Sequence, residues 1–343
     1  MKTSTDRILT THVGSLPRPE TIRALLRARV SGQAVDETEL SARAAEAVAT
    51  VARQQAAVGL DVISDGEMGK TSFLAYADER LTGFVPMAAN DPAVPSSNAG
   101  GSWARRIDTR REWRAFREYY ENYLPRAMPP SAPPSVCQGP ISYKGHALLQ
   151  RDLRAFRAAL EGLDVEEAFV PAIAPAMVGR GQNRHYATED EYVFAIAEAL
   201  KTEYRAIVDA GFVLQIDDPG LGETWDMLIP APPLEEYRRM QARNIEALNH
   251  ALAGIPEERV RYHLCWAAGK GRTSTTSACA TSRTSCCGSG PRPTLWKRRR
   301  PVTRTSGASG RTSSFPRARC SFRASSRTPR LSLSIPKPSR SGS

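Results

Sequence analysis

Apolar residues recur along the first 266 positions in two rhythms. Short runs at 8–15, 60–64, 135–142, 167–173, 212–216 and 260–265 have the length, the β-branched content and the flanking Gly, Pro and Asp residues of buried strands. Between most of them, apolar positions at helical spacing predict helices over 20–30, 37–58, 148–160, 188–210 and 234–252. The helix over 188–210 carries the clearest punctuation: Thr188 as N-cap, Glu191 three residues later as capping-box partner, and Gly211 beyond its end. Residues 85–110 read as a long excursion, 112–123 as a charged and aromatic helix, and Pro129 to Pro134 as a breaker cluster.

Six strands mostly alternating with helices define an α/β protein, and polar residues gather at the C-terminal ends of the strands. That is the rim at which a (β/α)8 TIM-type barrel places its site, with about six of its β/α units present. A doubly wound open sheet is the alternative, but the first strand lacks the Gly-x-Gly-x-x-Gly turn of that fold.

Charge and cysteine change the picture at Trp266. The chain has 343 residues and a formal charge of +11, yet residues 267–343 hold 17 Lys+Arg and no Asp or Glu, leaving 1–266 with 30 basic and 36 acidic residues. The basicity is therefore a property of the last 77 residues alone. These are rich in Ser, Thr, Arg, Pro and Gly without apolar period, the composition of a disordered tail. Two units, 1–266 and 267–343, follow: an incomplete barrel and a low-complexity basic tail. The tail is also what an out-of-frame reading would produce. T-S-C-C-G-S at 284–289 can be coded so that the neighbouring frame reads D-V-L-L-R-V, and G-R-T-S-S-F-P at 310–316 so that it reads W-E-D-V-K-L-P, both ordinary enzyme sequence. A natural polyanion-binding tail is the competing reading, but no specific nucleic-acid partner is expected. Two cysteines before Trp266, Cys137 and Cys265, make no disulfide framework. With no apolar leader and no membrane-length run, a cytoplasmic protein without a membrane partner is expected.

The candidate chemistry sits on the last strand. His263 and Cys265 are two residues apart, so on a strand they point the same way. An imidazole and a thiolate together make half a zinc site. Cys137, with no His or acid nearby in sequence, reads instead as a small buried hydrophobe.

Four pieces in order identify a family: T-T-H-V-G-S-L-P-R-P at 10–19, L-D-V-I-S-D-G-E-M at 60–68, Q-I-D-D-P-G-L-G-E at 215–223, and H-L-C at 263–265. Through these, the first 266 residues resemble cobalamin-independent methionine synthase, specifically its catalytic barrel and shorter single-barrel relatives. The resemblance implies a zinc-dependent methyltransferase moving a methyl group from 5-methyltetrahydrofolate to a thiol, most directly homocysteine, to give methionine. A soft zinc would hold the sulfur as a thiolate, which a poor methyl electrophile demands. It implies metal ligands at His263 and Cys265, a carboxylate-holding loop at Gly14 and Ser15, and substrate-facing acids at Glu67, Asp217 and Glu223. Asp218 stands where the methionine synthases usually have Glu. A related branch works on other thiols, such as coenzyme M with epoxides. The family's later ligands, a Glu and a Cys, and its proton-donating His have no counterpart after Trp266, so an impaired chain is expected.

Overall fold

A computed structural model describes residues 1–30, 32–87, 135–179, 182–221 and 232–264. The expected helix at 112–123, most of the excursion at 85–110 and the basic tail lie outside the described residues.

The helices follow the apolar spacing closely. They are α1 (Glu20–Val30), α2 (Glu37–Ala57), α3 (Ala75–Arg80), α4 (His146–Ala159), α5 (Pro175–Val178), α6 (Glu189–Asp209) and α7 (Leu234–Ala251). Asp36 caps α2 by accepting from the N–H groups of Thr38 (2.8 Å) and Glu39 (3.1 Å). The capping box of α6 is present in both directions: Glu191 N–H donates to Thr188 Oγ1 (3.1 Å), and Thr188 N–H to Glu191 Oε2 (3.3 Å).

The strands are β1 (Val62–Ser64), β2 (Phe84–Pro86), β3 (Ser135–Cys137), β4 (Glu167–Ile173), β5 (Gln182–Asn183), β6 (Val213–Asp217) and β7 (Val260–His263). The main sheet has the order β1-β4-β6-β7, every pair parallel. Thr11 adds one parallel bridge to Val62 on the outer side of β1. Strand alternation sends Ile63, Val170, Leu214, Ile216 and Val260 outward into one large apolar core shared with α2, α4, α6 and α7. There Phe156 of α4 stacks on Phe212 at 5.1 Å between centroids, and each such buried ring contributes about 2–3 kcal/mol. The opposite parity faces inward: Val62, Phe169 and Val213 form a small cluster of their own.

The sheet is strongly curled. Flat, four strand spacings of about 4.8 Å would put Thr11 roughly 19 Å from β7, beyond an arginine's reach. Yet Arg261 of β7 donates to Thr11 Oγ1 (3.3 Å) while its guanidinium lies 3.8 Å from the centre of the Phe169 ring. One inward side chain thus joins the two ends of the sheet. This is barrel-type curvature, with complete closure not described by these residues.

Two expected strands behave differently. Residues 8–15 contribute a single bridge, because the Asp61 side chain takes the Thr10 N–H that a ladder would need and the Thr10 carbonyl is already shared by two backbone donors. Asp61 Oδ2 accepts the Thr10 N–H (2.5 Å), and both Asp61 and Val62 donate to the Thr10 carbonyl. The strand expected at 135–142 ends at Cys137, since Pro140 has no N–H to pair. It is also not part of the main sheet: β3 pairs antiparallel with β2 and parallel with β5. Gly83 makes this possible. Its φ is +85°, and a Cβ there would stand 2.5 Å from the Gly139 carbonyl oxygen. Among the described residues the main sheet therefore has four strands plus the Thr11 bridge, instead of six strands.

Where a further strand might have run beside β4, side chains stand. β1 pairs with β4 only up to Phe169. Beyond it, Lys70 Nζ donates to the Pro171 carbonyl (2.5 Å), Ile173 N–H donates to Tyr76 Oη (2.9 Å), and Tyr204 Oη donates to the Ile173 carbonyl (2.5 Å).

Candidate functional site at the rim of the parallel sheet

Register brings the strand ends to one level. Ile173, Asp217 and His263 are successive partners across β4, β6 and β7. The Asp218 N–H donates to the His263 carbonyl (3.0 Å), and Tyr262 Oη donates to Asp218 Oδ2 (2.9 Å), tying the end of β6 to that of β7. On the other side, β1 delivers Asp65, Gly66 and Glu67. Asp65, Glu67, Lys70 and Asp218 are all at most 7% exposed, unusual for charged groups unless they are paired or functional.

The electrostatics follow from that burial. Desolvation, with the neighbouring Glu67 carboxylate adding to it, pushes Asp217 up to about 7, against the Gln215 amide that donates to it at 2.7 Å. Asp65 and Glu67 are likewise held above the ordinary carboxylate range by burial, with Lys70 opposing. His263 is held down to about 4 by burial and then by the Arg261 charge, so the imidazole is neutral at neutral pH, the form that binds metals. The result is an acid-rich rim with one buried ammonium among its acids. Such a rim favours a cationic group such as an amino acid's ammonium.

The expected site residues distribute as follows. Glu67 and Asp217 come close enough for the Glu67 charge to raise the cost of ionising Asp217. His263 sits on the neighbouring strand at the level of Asp217. Gly14 and Ser15 are exposed on the loop after Thr11, and Leu16 ties that loop to the rim by donating its N–H to the Gly66 carbonyl (3.1 Å). Glu223 and Cys265 lie outside the described residues. Cys137 is fully buried, with its Sγ 3.4 Å from the Gly139 carbonyl, as expected of a packing residue.

Arg18 lies within the motif at 10–19 and Lys70 two residues beyond the motif at 60–68, and neither position carries a role from sequence alone. The same holds for Arg261, which alternation from His263 would have flagged as an arginine inside the barrel. A cleft of about 170 Å³ between α2, α4 and the 65–70 loop, lined by Ser41, Asp65, Gly69, Arg151 and Asp152 among others, lies apart from the β6 and β7 ends.

Of the expected zinc ligands, the described residues hold His263 alone. Among the described residues no group of three or more His, Cys, Asp or Glu is placed to hold a metal ion. A closed tetrahedral site needs four donors, so these residues by themselves do not make one.

A curled parallel α/β sheet with buried carboxylates at the C-terminal strand ends places the chain among barrel-type α/β proteins. More narrowly, it is similar to the cobalamin-independent methionine synthases. Residues 8–99 match the family model described as the cobalamin-independent synthase catalytic domain. The methionine synthase of Sulfolobus acidocaldarius is 26% identical over 259 residues, which cover 75% of this chain and 61% of that protein. That of Sulfurisphaera tokodaii is 24% identical with the same coverage. The chain thus spans about three-fifths of the length of these relatives. Two solved structures share the fold. One is a B12-independent methionine synthase from Shewanella sp. W3-18-1 in complex with selenomethionine (TM-score 0.50, 16% identity, covering 81% of this chain and 65% of that one). The other is a putative B12-independent methionine synthase from Listeria monocytogenes (TM-score 0.50, 19% identity, covering 75% and 66%). Among the described residues no helix is long and apolar enough to cross a membrane.

Proposed function

We propose that this rim is the amino-acid pocket of a methyltransferase that moves a methyl group from 5-methyltetrahydrofolate to the thiol of homocysteine, forming methionine. The observation that carries the reading is that buried Glu67, in the loop after β1, and Asp217, at the end of β6 in register with His263, share one rim. Buried carboxylates there would face the substrate ammonium, and the exposed Gly14–Ser15 loop would receive its carboxylate. Glu223 and Cys265 belong to the same proposal. The kinship with methionine synthases supports homocysteine over another thiol acceptor.

Zinc, where the family's full ligand set is present, supplies a thiolate at neutral pH. The described residues do not complete that set, so the proposal includes impairment: the chain as written binds the amino acid but retains zinc poorly and turns over little. We infer further that residues 267–343 are an out-of-frame segment in place of the remaining barrel.

The test is calorimetric titration of L-homocysteine into the full chain. Binding that weakens about tenfold or more in Asp217→Asn is expected. No binding, or binding indifferent to that substitution, refutes the pocket. Zinc content by mass spectrometry tests the impairment: a stoichiometric, tightly held ion would overturn it. Comparison with coenzyme M as acceptor separates homocysteine from the other thiols.

A further inference from the structure

The loop after β1 turns through two successive residues in the left-handed region. Gly66 has φ +63° and Glu67 φ +58°, and Glu67 is the only non-glycine residue with positive φ among the described residues. For Gly66 this is free, and a Cβ there would approach Met68 Cε and Val51 Cγ1 to 3.1 Å. For Glu67 it is strained, and such strain persists only where the surroundings over-determine the backbone.

The surroundings do so. Ser64 is gripped by Gln55 at both its N–H (3.1 Å) and its carbonyl (2.8 Å). Ser64 Oγ accepts from Gly66 N–H (3.2 Å), and Asp65 Oδ1 from Glu67 N–H (3.0 Å). Those bonds fix the entry to the turn. The exit is held at the Glu67 carbonyl, which accepts from the Lys70 N–H (3.2 Å) and from Arg18 Nη2 (2.7 Å).

Of the two donors to the Glu67 carbonyl, Arg18 is the one that comes from another part of the chain, and its neighbour Leu16 ties the same segment to the Gly66 carbonyl. It stands between Pro17 and Pro19, whose rings fix φ on either side, so its donor is delivered from a stiff segment. Its Nε is buried and has no partner among the described residues. Burial draws its pKa below the usual arginine value, against the Glu67 and Asp65 charges. An arginine placed at this cost to donate to one carbonyl has a local task.

We propose that Arg18 is the positioning residue of the amino-acid pocket: by holding the Glu67 carbonyl it keeps Glu67 in its left-handed conformation and fixes where the Glu67 carboxylate stands on the rim. The functional half of this statement rests on the reading of Glu67 as an ammonium-facing acid; the conformational half does not.

The experiment has two arms. In the first, urea unfolding of the full chain compares the cost of Arg18→Met in three backgrounds: native, Glu67→Gln and Glu67→Gly. Glutamine keeps the Cβ and its strain but loses the charge, whereas glycine adopts positive φ unaided. Arg18→Met should raise the unfolding constant about tenfold in the native and Glu67→Gln chains, and less than about threefold in Glu67→Gly. An equal cost in all three backgrounds, or a cost already lost in Glu67→Gln, overturns the proposal. The former would make Arg18 a general fold contact and the latter a simple charge partner. In the second arm, L-methionine is titrated into the native chain, Arg18→Met and Arg18→Lys. Arg18→Met should weaken binding about tenfold or more, with partial recovery in the lysine variant, which still donates but lacks the fork. Undiminished binding by Arg18→Met refutes the positioning role. If the native chain itself does not bind L-methionine, the proposed function fails, and the unfolding arm alone then decides what Arg18 does.

Discussion

Replacing Arg80 by methionine should cost the fold about 3 kcal/mol, and the surroundings show why. Arg80 ends α3 with its side chain 4% exposed. One arm donates to Asp152 Oδ2 (2.6 Å), the other pairs with Glu203 Oε2 (3.2 Å), and the guanidinium lies 5.0 Å from the Tyr76 ring centre. Burial works against this charge, but the two carboxylates outweigh it and hold the arginine pKa above its ordinary value. Asp152 would survive the loss, because Arg151 also donates to it, at 2.9 and 2.7 Å. Glu203 would not. It is fully buried, its Oε1 has no partner among the described residues, and its Oε2 would keep only the Tyr143 hydroxyl (2.8 Å). Removing one member of a buried pair typically costs about 3–5 kcal/mol, and the spare partner of Asp152 places this case at the lower end. Near 3 kcal/mol the Tm should fall by about 6–12 °C. Urea titration followed by far-ultraviolet circular dichroism measures the cost. Because the penalty is the stranded Glu203 charge, Glu203→Leu on top of Arg80→Met should restore most of it. A loss below about 1 kcal/mol, or no restoration by the second substitution, would refute the reasoning.

Three further outcomes are expected. Burial raises the folded-state pKa of Glu67 above its unfolded value, so its contribution is favourable at low pH and is lost as pH rises through the folded value. Glu67→Gln should therefore stabilise the chain more at about pH 8 than at about pH 4, as read by urea midpoints, and an equal difference at both would be against it. Thr188→Ala removes one side of the capping box on α6 and should cost about 1 kcal/mol, with Thr188→Ser close to neutral in the same unfolding assay. Tyr76→Phe leaves the buried Ile173 N–H without its acceptor and should cost about 1–3 kcal/mol, with faster exchange of that amide by NMR.

The five long helices were legible in the sequence to within about two residues, α1 through apolar spacing and α6 through spacing and its cap, whereas the short α3 and α5 were not. The strands near 62, 167, 213 and 260 were legible as segments. Their pairing was not, because a short apolar run carries no record of its neighbour. Residues 8–15 look like a strand, but the Asp61 side chain competes for the Thr10 amide, and residues 135–142 look like a barrel strand until Gly83 admits them to another sheet. At the candidate site, motif resemblance pointed to Glu67, Asp217 and His263, and the strand register sets Asp217 beside His263. Lys70, Arg18 and Arg261 went without roles because a lone basic residue in a loop or strand looks the same whether it meets water or a buried carbonyl.

The edge of β4 beyond Phe169 has a consequence for how the chain tolerates change. Bare backbone there would offer a template to any passing strand, in its own molecule or another. Two phenols and an ammonium plug the seam. Lys70 is thereby both plug and counter-charge to Asp65, Glu67 and Asp217. A substitution that retunes the pocket at position 70 also uncaps the seam, leaving the buried Pro171 carbonyl without the donor that now closes it.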